Sequence, residues 1–222
     1  MPLLLNKYFD FAALHPEVTQ ADIEKLCAEA VTFDFFAVCV NPVWVETAVK
    51  SLSGTNVKVA SVAGFPLGAS QTSVKAIEAA EAAQLGAHEI DMVANIGWLC
   101  SNRYVEAEAE IRKVRRNLPD GVLLKVIIEC GKLSPIQQHE ATRTVLNAGA
   151  QMVKTGTGFF GGADPETVKR LALSAAGQIG VKASGGIKTL EQCRQLIEAG
   201  AIRLGSSSCP AIMRENSSKP IG

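Results

Sequence analysis

The sequence predicts an α/β chain that closes into one eight-stranded TIM (β/α)8 barrel, a single domain spanning residues 1–222. Three observations carry that expectation. Short apolar runs of β type alternate eight times with helical patterns, with no low-complexity linker between them. The runs are apolar at consecutive positions, as strands buried on both faces require. One pattern also recurs: LGAHEID (85–91), AGAQMVK (148–154) and AGAIRLG (199–205) each place a helix-closing glycine and an alanine before a strand. The fifth residue after that glycine is Asp91, Lys154 or Gly205. Equal offsets put these three near the C-terminal ends of their strands, the rim where barrels hold their active sites. A doubly wound open sheet is the alternative.

The elements follow in order. The first strand, the weakest in pattern, is read at 7–11 (KYFDF), and a helix at 19–31 starts where Thr19 precedes Asp22. FFAVCV gives a strand at 35–40, followed by a helix at 43–52. VKVASVA gives a strand at 57–63, and Ser70 before Ser73 marks the start of a helix at 70–85. HEIDMV (88–93) and a helix at 103–117 come next, then VLLKVII (122–128) and a helix at 134–148. AQMVKT (150–155) leads through a glycine-rich loop to a helix at 165–176. Its start, Asp164-Pro165-Glu166, pairs an N-cap with proline at the first helical position. IGVKA (179–183), a helix at 188–199, AIRLG (201–205) and a helix at 209–215 complete the series.

Composition narrows the function. With 22 basic and 22 acidic residues, the chain offers no electrostatic case for nucleic acid or an anionic membrane as its main partner. RKVRR at 112–116 lies on a helical pattern and reads as a solvated face. MPLLLNKYFD is too short in apolar residues for a signal segment, and no apolar run approaches membrane-spanning length. A soluble, cytoplasmic protein is expected. Cys27, Cys39, Cys100, Cys130, Cys193 and Cys209 form no C-x-x-C pair, so free buried thiols are expected. His15, His88 and His139 show no metal-ligand spacing, and His88 is read as structural. Trp44 and Trp98 are read as packing residues.

The chemistry lies in charges on apolar strands. Asp91, Lys125, Lys154 and Lys182 fall on four consecutive strands, each about one β/α unit after the last. Inward-facing side chains there can meet in one pocket, since neighbouring strands lie about 4.8 Å apart. Lys125, inside LLKVII, needs a buried partner, and Asp91 is the natural one. A free lysine is neutral in only about four molecules per ten thousand at pH 7, but burial and a second ammonium both lower its pKa. A neutral amine in a dry barrel mouth can attack a carbonyl and form a Schiff base, an electron sink for carbon–carbon cleavage, with Asp91 moving protons. KASGGIK (182–188) and LGSSSCP (204–210) follow the last two strands and supply glycine amides and serine hydroxyls, as phosphate sites of barrels do.

With these residues in place, the chain resembles the deoxyribose-phosphate aldolases along nearly its whole length. The matching stretches are VCVNPVWV (38–45), ASVAGFPLGAS (60–70), HEIDMVANIG (88–97), LLKVIIECG (123–131), MVKTGTGF (152–159), VKASGGIKTLEQC (181–193) and IRLGSSS (202–208). The resemblance implies a class I aldolase on a TIM barrel, with neither metal nor organic cofactor. It would cleave 2-deoxy-D-ribose 5-phosphate into acetaldehyde and D-glyceraldehyde 3-phosphate in deoxyribonucleoside catabolism. It makes Lys154 the Schiff-base nucleophile, Lys182 the second lysine, Asp91 the acid/base residue and Lys125 its partner. It places Gly185, Gly186, Gly205, Ser207 and Ser208 at the phosphate. The implied partner is a small phosphorylated sugar, not nucleic acid or membrane; self-association into a homo-oligomer stays open.

Departures are specific. In DFAAL (10–14), Phe11 and Ala12 stand where the family often has histidine and threonine. Gly156 replaces a common serine, and Cys209 a common glycine. The ending ENSSKPIG lacks a tyrosine that some members carry. Rival readings are a dinucleotide-binding oxidoreductase built on GTGFFG (156–161) and a non-catalytic phospho-sugar binder. A third keeps the aldolase class and changes the aldehyde pair through loops 64–70 and 156–163.

Overall fold

The repeated glycines do what their position demands. Gly86, Gly149 and Gly200 have φ of 104°, 82° and 110°, a region that L side chains avoid, and each turns the chain from a helix into the next strand. The computed structural model describes residues 4–218. Eight strands close in sequence order into one parallel barrel, so the open-sheet alternative falls. They are β1 (Phe9–Ala13), β2 (Ala37–Val40), β3 (Lys58–Ala63), β4 (Glu89–Val93), β5 (Leu123–Ile127), β6 (Met152–Lys154), β7 (Gly180–Ser184) and β8 (Arg203–Ser206). The outer layer comprises α1 (Gln20–Thr32), α2 (Val45–Ser51), α3 (Thr72–Gln84), α4 (Ile96–Cys100), α5 (Tyr104–Asn117), α6 (Pro135–Asn147), α7 (Pro165–Ala175), α8 (Leu190–Glu198) and α9 (Cys209–Ser218).

Capping explains most helix starts. Thr19, Ser134 and Thr189 each close a capping box, and Asp164 accepts from the Thr167 amide at 2.9 Å. Ser70 does not cap α3: Gln71 stands at that position without a side-chain bond. The first strand lies later than its pattern suggested, because Leu5–Tyr8 winds into a 3-10 turn first. The short helix α4 carries no amphipathic period long enough to be read, and Asn95 caps it by accepting from the Trp98 amide.

Strand parity sorts the core. Phe9, Phe11, Val38, Ile90, Leu124, Val153 and Leu204 face the helices in one large apolar cluster. The barrel interior is divided. Cys39, Ala60 and Val62, joined by Ala12, Leu14 and Phe65, make an apolar wall on β1–β3. Charged side chains from β1, β4, β5, β6, β7 and β8 fill the remainder. All six cysteines are free; five are buried, but Cys100 is exposed, against expectation. No described helix is long and apolar enough to cross a membrane. Within RKVRR, Arg112 pairs with Glu108 on the surface of α5 while Val114 turns inward. The Nδ1 of His88 accepts from the Val59 amide at 3.2 Å, a structural role. Trp44 packs against the apolar core, and Trp98 lies under the Arg103 guanidinium.

Candidate active site

Parallel register builds the site. Asp91 pairs with Lys125 across β4 and β5, Lys154 with Lys182 across β6 and β7, and Lys182 with Arg203 across β7 and β8. All these side chains point into the barrel and converge on two aspartates. Asp91 Oδ2 accepts from Lys154 Nζ and from Lys182 Nζ at 2.8 Å each, and Asp91 Oδ1 accepts from Lys125 Nζ at 2.8 Å. The expected meeting of the four residues is therefore present. Their depth differs from expectation: only Lys154 ends its strand, whereas Asp91, Lys125 and Lys182 are mid-strand. Lys154 and Lys182 line a cavity of about 190 Å³ at the C-terminal mouth, while Asp91 and Lys125 lie fully buried outside its lining.

Three residues complete the layer that sequence reading left without a role. Asp10 bonds Lys182, Lys125 (3.2 Å) and Arg203 (2.7 Å). Glu89 bonds Lys125 at 2.5 Å and Arg203 at 3.1 Å. Arg203 stacks on Phe36 at 3.5 Å. The signal was available: Glu89 and Arg203, like Lys125, are charges inside apolar strands. Asp10 opens DFAAL, but a first strand placed too early hid its inward direction.

The electrostatics single out one amine. Burial, aided by the Lys182 ammonium, pushes Lys154 below an ordinary lysine, and Asp91 opposes this only in part. Burial acts on Lys182 as well, but Asp10 and Asp91 outweigh it and raise its pKa. Lys125 is raised well above the usual value, because Asp10, Asp91 and Glu89 overcome its burial. Burial alone would raise Asp91 and Asp10; the surrounding cations hold both well below the carboxylate range. Lys154 is thus the lysine of this layer most ready to lose its proton, and it faces the cavity.

The five residues expected at the phosphate lie together at the rim. Gly185, Gly186, Gly205, Ser207 and Ser208 all line the cavity. Ser207 and Ser208 directly precede α9. Gly205 also makes room for a lysine: a Cβ there would lie 3.1 Å from Lys182 Cε and 3.0 Å from Ser184 Oγ. Lys188 at the rim was missed. So was Ser206, whose hydroxyl donates to the Ile187 carbonyl and accepts from the Ser208 amide, bracing that turn.

Departures from the family pattern also find places. Phe11 packs edge-on to Phe35 outside the barrel, so only Ala12 makes the mouth less polar. Gly156 lies against Glu129: a Cβ there would stand 2.7 Å from Glu129 Oε1, so the carboxylate would have to shift to admit a side chain. Cys209 is buried against the Ser206 carbonyl. The end of the chain, 219–222, lies outside the described residues, as do 1–3; neither Tyr8 nor Tyr104 lines the cavity. The GTGFFG loop is no dinucleotide cradle: its Thr157 amide and hydroxyl donate to the Glu129 carboxylate, and a closed barrel has no switch point.

Fold and site together define a class, barrel enzymes that act on carbonyl compounds through an amine. A family model described as DeoC/LacD family aldolase matches residues 4–212, and the chain belongs to that family. A deoxyribose-phosphate aldolase from Natranaerobius thermophilus is 46% identical over 214 residues, covering 96% of this chain and 97% of that one. One from Bacillus subtilis is 45% identical, with 96% and 97% covered. The solved tetrameric deoxyribose phosphate aldolase of Aeropyrum pernix superposes with a TM-score of 0.87 at 32% identity, covering 96% of this chain and 91% of that one.

Proposed function

We propose that this chain reversibly cleaves 2-deoxy-D-ribose 5-phosphate into acetaldehyde and D-glyceraldehyde 3-phosphate through a Schiff base on Lys154, serving deoxyribonucleoside catabolism. The observation that carries the assignment of roles is the convergence of Lys154, Lys182 and Lys125 on one buried carboxylate, with Lys154 open to the cavity.

Neutral Lys154 Nζ attacks the aldehyde carbon of the open-chain sugar. Proton transfers through Lys182 and Asp91 let the hydroxyl leave as water, which gives a protonated imine. A base, Asp91 directly or through one water, takes the proton of the hydroxyl on the carbon β to the imine. The α–β bond breaks, its electron pair enters the iminium, and glyceraldehyde 3-phosphate departs. The enamine left on Lys154 is protonated at carbon, and water returns acetaldehyde and the free amine. Lys125 stays charged and keeps Asp91 ionised. Gly185, Gly186, Gly205, Ser207 and Ser208 hold the phosphate at the rim.

In this reading residues 1–222 act as one barrel domain, in the cytoplasm, on a small phosphorylated sugar. The chain assembles with copies of itself, after the tetramer described for the Aeropyrum pernix relative. The test is reductive trapping: incubate with acetaldehyde, add borohydride, digest and weigh the peptides. A two-carbon adduct on Lys154, lost in Lys154→Ala, is expected. A folded protein with no adduct on Lys154, Lys182 or Lys125 would sink the aldolase mechanism and leave a phosphate-binding barrel without catalysis.

A further inference from the structure

The inner layer holds an odd charge. Its bases are Lys125, Lys154, Lys182 and Arg203; its acids are Asp10, Glu89 and Asp91. Four formal positive charges face three negative ones in a layer whose residues are at most 5% exposed, where an unmatched charge is costly. One base is best left neutral. The contacts decide which. Lys125 touches three carboxylates, Lys182 two and Arg203 two, whereas Lys154 touches Asp91 alone. Arg203 cannot give up its proton in a protein.

We propose that Arg203 is a positioning residue that keeps Lys154 unprotonated: from the floor of the barrel, outside the cavity lining, its fixed charge occupies Asp10 and Glu89 and makes Lys154 the surplus base. This rests on Lys154 being the amine that condenses with substrate. The charged and titratable groups facing the layer are Asp10 from β1, Cys39 from β2, Glu89 and Asp91 from β4, Lys125 from β5, Lys182 from β7 and Arg203 from β8. The Cys39 thiol, raised by burial and then by Asp91, stays neutral and does not alter the count. The Arg203 guanidinium is fixed in place, sandwiched between the carboxylates and the Phe36 ring and only 5% exposed.

Opposite substitutions should move the amine in opposite directions. Arg203→Met leaves three bases for three acids, so Lys154 keeps its proton to higher pH. Glu89→Gln leaves four for two, so Lys154 loses it at lower pH. Arg203→Lys preserves the count. The readout is the pH dependence of Lys154 trapping with acetaldehyde and borohydride in the full-length protein, alongside the acid limb of kcat/KM. We expect the midpoint to rise by about one pH unit in Arg203→Met and to fall by about as much in Glu89→Gln, roughly tenfold in rate on the acid side. Arg203→Lys should stay with the unsubstituted protein. Loss of packing alone would lower the plateau without moving the midpoint. If Arg203→Met fails to fold by circular dichroism, Glu89→Gln against Arg203→Lys decides the matter. Midpoints that stay within about 0.3 unit, or move in the same direction, would overturn the inference. No Lys154 adduct in the unsubstituted protein would instead overturn the Lys154 assignment, and this inference with it.

Discussion

Two buried charge clusters invite comparison. Outside the barrel, Lys75 of α3 and Glu110 of α5 form a 2.9 Å ion pair with neither side chain exposed. Lys75 also donates to the Val93 carbonyl at 2.9 Å, and Glu110 accepts from the Asn95 amide at 2.9 Å. Here one base meets one acid. Burial pushes Lys75 down and Glu110 up, so both drift toward neutrality together and the pair's net charge does not change. Inside the barrel the count is uneven. The aspartates are held low, Lys125 and Lys182 are raised, and only Lys154 is lowered. Burial of an ion pair therefore does not by itself make a reactive group. In the proposed mechanism an odd charge and an opening onto a cavity do.

That distinction predicts opposite phenotypes. The largest effect is at the reactive end: Lys154→Met should lower kcat/KM by about 10⁴-fold or more while leaving the urea midpoint nearly unchanged, since a neutral amine is replaced by an apolar side chain and the other three bases still match three acids. Activity and denaturation measured on the same preparation check both halves; retained activity would erase the comparison. Next, Lys75→Met strands the Glu110 carboxylate and should cost about 3–5 kcal/mol of stability. Its effect on kcat per folded molecule should be small. Lys75→Met with Glu110→Leu should recover most of that loss, as replacement of a whole buried pair by apolar groups often does. Smaller again, Gly205→Ala should lower kcat about tenfold with little change in melting temperature, because the added Cβ crowds Lys182 Cε, 3.1 Å away.

The two clusters also differ in how readable they were. The barrel was legible because eight β/α alternations and three equivalent glycines repeat along the chain. Lys125 was legible because a charge amid LLKVII contradicts its surroundings. Arg203 in AIRLG and Glu89 in HEIDMV carried the same contradiction, and depth along the strand was the missing quantity: strand ends and strand middles look alike when boundaries are uncertain by a residue or two. Lys75 and Glu110 were not legible, because a charge on an amphipathic helix reads as solvated until α3 packs on α5. Gly205 was placed at the phosphate rim, yet its contact with Lys182 exists only across strands.

Glu129 sharpens the comparison from a third side, as a buried carboxylate held by neutral donors. It is 2% exposed, and its Oε2 accepts from the Thr157 amide at 3.0 Å and the Thr157 hydroxyl at 2.7 Å. Thr157 Oγ1 in turn accepts from the Phe159 amide at 3.1 Å, and Phe159 reaches over the cavity toward Phe65 and His15. The carboxylate thus shapes the β6–α7 loop that lines the mouth, and it exchanges no charge with Lys154. Glu129→Gln retains one oxygen to accept both Thr157 bonds and loses only their charge-assisted strength. The expected effect is the smallest of the series: KM for 2-deoxy-D-ribose 5-phosphate up about threefold, with kcat within about twofold and the trapping midpoint unmoved. A kcat that falls further than KM rises would mean that the loop acts on the Schiff-base step. Loop and inner layer would then be one electrostatic unit instead of a binding surface laid over a reactive core.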